Sequence, residues 1–177
     1  MSEIQRRQQT EVLAYAGIAL ALSVVSLMIF RGPVSIVSTF IVPAVVAIFA
    51  RKKLFPYYLL TSMGLLIMTF VFFITQIIFV IGYILLSIAL KILFIDSEIN
   101  IKVGWQGFLI YTLLVIVVLF MGIQLTQTVL SIPLHDMMLR MSNHRYSIYF
   151  AILLLESIAI TLINFLIIKV LIPRIRL

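Results

Sequence analysis

The run Leu54–Leu90, LFPYYLLTSMGLLIMTFVFFITQIIFVIGYILLSIAL, holds 37 residues without a single charge. As one helix it would measure about 55 Å at 1.5 Å per residue, well beyond a hydrocarbon core of about 30 Å. The length therefore predicts a hairpin of two short membrane spans, turning near Phe73–Gln76. No Gly or Pro marks that turn. Four further runs flank the hairpin: Val12–Phe30, Val34–Ala50, Phe108–Ile132 and Ile148–Ile172, the last carrying Glu156 and Lys169. Each has the length of one span. The expected fold is all-α, a single integral membrane domain with six spans near 12–30, 34–50, 54–73, 76–90, 108–132 and 148–172.

Composition points the same way. The 177 residues are 64% hydrophobic and only 11% charged, with a mean hydropathy of +1.26. A water-soluble globule of this make-up would expose large apolar patches and aggregate. Cysteine is absent, which removes disulfides, thiol nucleophiles and Cys-rich metal sites.

Basic residues orient the spans. With six spans and both termini cytoplasmic, the inner face carries Arg6, Arg7, Arg51, Lys52, Lys53, Lys91, Lys102, Lys169, Arg174 and Arg176. The outer face keeps Arg31, Arg140 and Arg145. Five spans would erase this bias, so six is the expected number. Tyr57, Tyr58 and Trp105 at inner boundaries, and Tyr146 and Tyr149 at an outer one, are expected in the interfacial aromatic belts. The net charge of +7 is mostly this inner bias; anionic lipid headgroups suffice as its partner, and no nucleic acid is needed. Arg6 and Arg7 precede an apolar stretch too long for a signal peptide and followed by no small-residue cleavage site, so it reads as a retained first span.

Little here suggests catalysis. There is no His-Glu-x-x-His helix, no Gly-x-Ser-x-Gly turn and no P-loop. His135, His144 and Asp136 share one outer segment and read as solvated polar residues rather than a metal site. No enzyme activity, metal or cofactor is expected.

Glu156 is the most informative residue. A carboxylate inside a span costs on the order of 2.5–3.5 kcal/mol, so it should face protein or water. Counting from the boundaries at Ile132 and Ile148 puts Gln124 and Glu156 at equal depth. Gln124, Gln127 and Ser131 share one helix face, with Thr128 beside it, while Glu156, Ser157, Thr161 and Asn164 form a second polar strip. These strips read either as an outward-opening polar cavity or as hydrogen-bonding glue between helices. Above them lies Leu134–Ser147, in which Asp136, Arg140 and His144 recur every four residues and would align on a helix. This segment reads as a lid or as an interfacial helix. The candidate solute-binding residues are Glu156, Gln124, Gln127, Asp136, Arg140 and His144. Lys91–Gly107, with Asp96, Glu98 and Lys102, reads as a solvated connector.

In the first span, the pairs Gly17–Ala21 and Ala19–Ser23 permit close approach of another helix, by default one from the same chain. Six short spans with an Ala-rich first helix, TEVLAYAGIALALSVVS (Thr10–Ser26), resemble the substrate-capture S components of energy-coupling factor transporters. That resemblance implies a subunit in a bacterial cell membrane that binds a small solute from outside. It also implies docking through the first helix to a transmembrane coupling subunit with ATPases. The family's Ala-xxx-Ala pair is missing, and Gly17–Ala21 would replace it. The other reading is a non-transporting membrane scaffold or accessory subunit.

Overall fold

The computed structural model describes residues 3–30, 36–49, 54–95 and 102–175. Six long helices, α1 (Glu3–Ile29), α2 (Ile36–Phe49), α3 (Leu54–Phe72), α4 (Ile77–Leu90), α5 (Lys102–Leu130) and α7 (Tyr146–Ile175), make up the bundle. A short α6 (Leu134–Met141) joins α5 to α7. α1, α3, α5, α7 and the continuous helical stretch Ile74–Ile95 that contains α4 are long and apolar enough to cross a membrane; α2 is the shorter apolar sixth. The loop at Arg31–Pro33, the residues Arg51, Lys52, Lys53 and Arg176, and Asp96 and Glu98 lie outside the described residues.

The long apolar run does break. The α-helix stops after Phe72, Phe73 takes φ −140° and ψ 44°, and a 3-10 turn at Ile74–Gln76 leads into α4. Gln76 is buried there. The other polar residue of the turn, Thr75, is exposed, so Gln76 is the one that turns inward.

α2 is the axis of the bundle. It packs against α1, α4 and α7, and no residue from Val37 to Phe49 is exposed. Its 14 residues span about 21 Å. Pro43 lies within it, leaving the carbonyl of Thr39 without its i+4 donor. The Thr39 hydroxyl, for its part, donates to the Tyr83 hydroxyl on α4 at 3.1 Å.

The bundle is inside-out relative to a soluble protein. Ser23, Thr39, Ser87, Thr161 and Asn164 are fully buried, whereas Phe55, Phe70, Val71, Phe72 and Leu155 are more than 60% exposed. In hydrocarbon, polar side chains gain by bonding across helices, and apolar ones gain nothing by hiding. Tyr57 and Tyr58 follow this logic and correct the aromatic-belt expectation. Both are buried, donating to the carbonyls of Val46 at 2.8 Å and Ser87 at 3.2 Å. Trp105 and Tyr146 are exposed, but Tyr149 is buried.

Glycines set the closest helix contacts. On the facing surfaces of α4 and α5, Val118 fits against Gly82, and the Phe79 ring fits against Gly122. A Cβ on Gly122 would stand 2.6 Å from Phe79 Cε1. On α3, a Cβ on Gly64 would stand 2.9 Å from Leu20 Cδ2 of α1. Gly17, by contrast, has nothing within 4 Å. The two small-residue pairs of α1 therefore part company. Ala19 and Ser23 are buried against the bundle, as an internal contact requires. Gly17 and Ala21 are exposed, so the default of an internal neighbour fails for them.

The stretch after α4 also differs from a solvated connector. Lys91–Ile95 forms a π turn in which Lys91 is buried and Phe94 packs edge-on against Tyr111 and Phe165. α5 already begins at Lys102.

Candidate functional site

The contacts Phe79–Gly122 and Gly82–Val118 make α4 and α5 antiparallel. They set the turn at Ile74–Gln76 and α6 at the same end of the bundle. At this end three contacts from two side chains of α5 hold α6 in place. Gln127 Oε1 accepts the backbone N–H of His135 at 3.0 Å, and its Nε2 donates to Asp136 Oδ2 at 3.4 Å. Gln124 Nε2 lies 3.0 Å from His135 Nδ1. Pro133 occupies the N-cap position of α6 and has no side chain to cap it. Gln127 from the neighbouring helix satisfies one of the orphan N–H groups instead. The two glutamines are legible in sequence as one helix face; what they bind is α6.

The expected pairing of Gln124 with Glu156 does not form. Thr112 Oγ1 donates to Thr161 Oγ1 at 3.2 Å, and Phe120 stacks near Phe150 at 6.1 Å. That register places Gln124 beside the first turn of α7, near Tyr149, and Glu156 about two turns deeper, roughly 10 Å. Counting from the apolar boundaries assumed that α7 begins where α5 ends. In fact the first turn of α7 rises beside α6, where Tyr149 meets the His135 ring edge-on at 5.5 Å.

Asp136 and Arg140 lie one turn apart on α6 as expected, but His144 does not join them. α6 ends at Met141, and Asn143 and His144 take left-handed φ values of 52° and 58°. All three charged or titratable side chains are exposed, and no ion pair joins Asp136 to Arg140 among the described residues. No group of three metal-ligating side chains occurs among the described residues.

The residue that sequence reasoning missed is Tyr149. Its side chain is 1% exposed, and its hydroxyl has no hydrogen-bond partner among the described residues. In sequence it reads as an interfacial aromatic, because an aromatic at a helix boundary gives no signal of which way it faces. Glu156, seven residues on, lies on the same side of α7. Glu156 is half-buried and makes no hydrogen bond or ion pair among the described residues. Tyr149 and Glu156 are two turns apart, about 10 Å along the helix. His135 and Tyr149, flanked by Gln124, thus head a polar column that continues, two turns along α7, at Glu156. Buried hydroxyls of Ser23, Ser26 and Thr126 also lack partners among the described residues.

Deeper polar residues bond to one another and to the backbone, although Asn164 Oδ1 has no partner among the described residues. Asn164 Nδ2 donates to Tyr111 OH at 3.1 Å, Thr161 to the Ser157 carbonyl, and Ser157 to the Leu153 carbonyl. These residues are interhelical and intrahelical glue. Compared with protein-family models, curated proteins and solved structures, the chain matches none.

Proposed function

We propose that the protein is a transport-associated membrane subunit that captures a small, cationic or donor-rich solute from the outer face, as S components do. The carrying observation is the Tyr149 hydroxyl, buried and without a hydrogen-bond partner among the described residues, on a ring that packs edge-on against His135, with the unpaired Glu156 carboxyl group two turns further along α7. An unsatisfied buried polar group costs about 1–3 kcal/mol, and a bound solute would recover that cost. Gln124, His135, Tyr149 and Glu156 are the binding residues in this reading. Gln127 and Asp136 hold α6 over the site, and Arg140 and His144 face the surroundings.

The second reading, a scaffold or accessory subunit, draws on the glue bonds between α5 and α7 and on the use of Gln127 to fasten α6. Affinity purification from native membranes separates the two. Co-purification of ATPases and a transmembrane coupling subunit is the expected result, with loss of that subunit in Gly17→Leu. Gly17 and Ala21 face outward, and a Leu there would block a partner helix without touching the bundle. Purification of the chain without ATPases would favour the scaffold.

The membrane arrangement proposed is six crossings of the cell membrane with both termini cytoplasmic, on the basis of the Lys/Arg distribution. Single cysteines at Thr75 and Asn143 are expected to react with an impermeant reagent applied outside, and one at Lys52 is not. Labelling at Lys52 alone would invert the arrangement.

A further inference from the structure

A groove of about 640 Å³ runs between α5 and α7 at the end opposite α6, open to the outside of the bundle. Trp105 and Phe165 stand at its mouth, Phe108, Thr112 and Ile158 along its course, and Leu154 at its inner limit. Thr112 is the one hydroxyl residue in the lining. Its hydroxyl already donates to the Phe108 carbonyl and to Thr161, so it offers little to a polar ligand. The lining is therefore built for hydrocarbon.

Two dimensions restrict the occupant. From Phe165 to Leu154 is eleven residues of helix, about 16 Å. Half of a hydrocarbon core of about 30 Å is about 15 Å, the depth of one leaflet. The groove is thus one acyl chain deep. At its mouth, Lys169 Nζ lies 6.0 Å from the centroid of the Phe165 ring, and the Lys169 side chain is exposed. Trp105 is 73% exposed and leans on Phe108 with ring centroids 5.6 Å apart, as an interfacial indole does. Glu156 is thirteen residues from Lys169, about 20 Å along the helix, too far to neutralise it.

We infer that this groove is a binding site for an anionic phospholipid, one acyl chain lying between α5 and α7 and the phosphate meeting Lys169. A zwitterionic lipid fills the same hydrocarbon slot but gains less from the cation. One lysine near the surface is worth about fivefold in preference. The site goes beyond the solute-binding reading and shares no residue with it.

Trp105 is the only tryptophan, so its fluorescence reports on the mouth of the groove. The full chain is reconstituted in nanodiscs at fixed salt, with phosphatidylglycerol or phosphatidylcholine brominated near the carboxyl end of one acyl chain. Titrated into unbrominated phosphatidylcholine, brominated phosphatidylglycerol should reach half-maximal quenching at about one-fifth the mole fraction that brominated phosphatidylcholine needs. Lys169→Gln should bring the two lipids together, and Ile158→Phe, which fills the slot, should weaken quenching by both. Equal quenching by the two lipids in the unaltered protein would overturn the site, and that comparison needs no variant. A preference that survives Lys169→Gln, or quenching untouched by Ile158→Phe in protein of unchanged helicity, would also overturn it.

Discussion

Gly122→Ala should destabilise the bundle by about 1–3 kcal/mol, with Gly82→Ala close behind, because both positions are already filled by a neighbour. The added Cβ at Gly122 would stand 2.6, 3.0 and 3.2 Å from three atoms of the Phe79 ring. That ring is 1% exposed and closed in on every side, so it has nowhere to rotate. At Gly82 the obstacle is Val118, whose branched side chain is held to few rotamers. Gly17→Ala supplies the control. With nothing within 4 Å it should be neutral, or gain up to about 1 kcal/mol from helix propensity. Thermal unfolding in detergent, followed by far-UV circular dichroism, would rank the three. A Gly122→Ala protein as stable as Gly17→Ala would mean that α4 and α5 do not interlock.

The second large effect is expected at the polar column. Tyr149→Phe removes a buried hydroxyl that has no partner, so the solute-free protein should gain roughly 1 kcal/mol. Glu156→Gln keeps the shape and removes the charge, and should leave folding intact or slightly improved, since an amide is cheaper to bury. Both should lose the bound solute, by about tenfold or more for a charge-assisted contact at Glu156. Mass spectrometry of small molecules released from protein purified out of native membranes supplies the binding readout. Stability that rises without any change in released molecules would assign the column to packing. Stability that falls in Tyr149→Phe would show that the hydroxyl already has a structural partner.

How much of this was readable beforehand depends on the kind of signal. Membrane-length helices follow from charge spacing and bilayer thickness, two quantities that need no tertiary information. The break at Phe73 follows from length alone. The Gly82 and Gly122 contacts were not readable, because no two glycines fall four apart on one helix. Each works as a hole for a knob on the facing helix, and facing partners are not encoded by spacing within one. Gln124 and Gln127 were legible as a face but not in their purpose, since a capping bond from one helix to the start of another depends on how the loop folds back. The same fold-back defeated the depth match between Gln124 and Glu156. Tyr57 and Tyr58 looked interfacial by position, yet hydroxyl groups that can reach a carbonyl across a helix pair turn inward.

The hidden position of α2 has a consequence in time. Its walls are α1, α4 and α7, and α7 starts about 100 residues after α2 ends. At synthesis rates of about 5–20 residues per second, α2 waits roughly 5–20 s for its last wall. During that interval one flank of a 14-residue helix, carrying a proline that cannot donate a hydrogen bond, faces lipid or the insertion machinery. The nascent chain is most vulnerable in that window to misinsertion and to membrane proteases. Arrival of the last helix both builds the polar column and closes the period in which the protein can be lost.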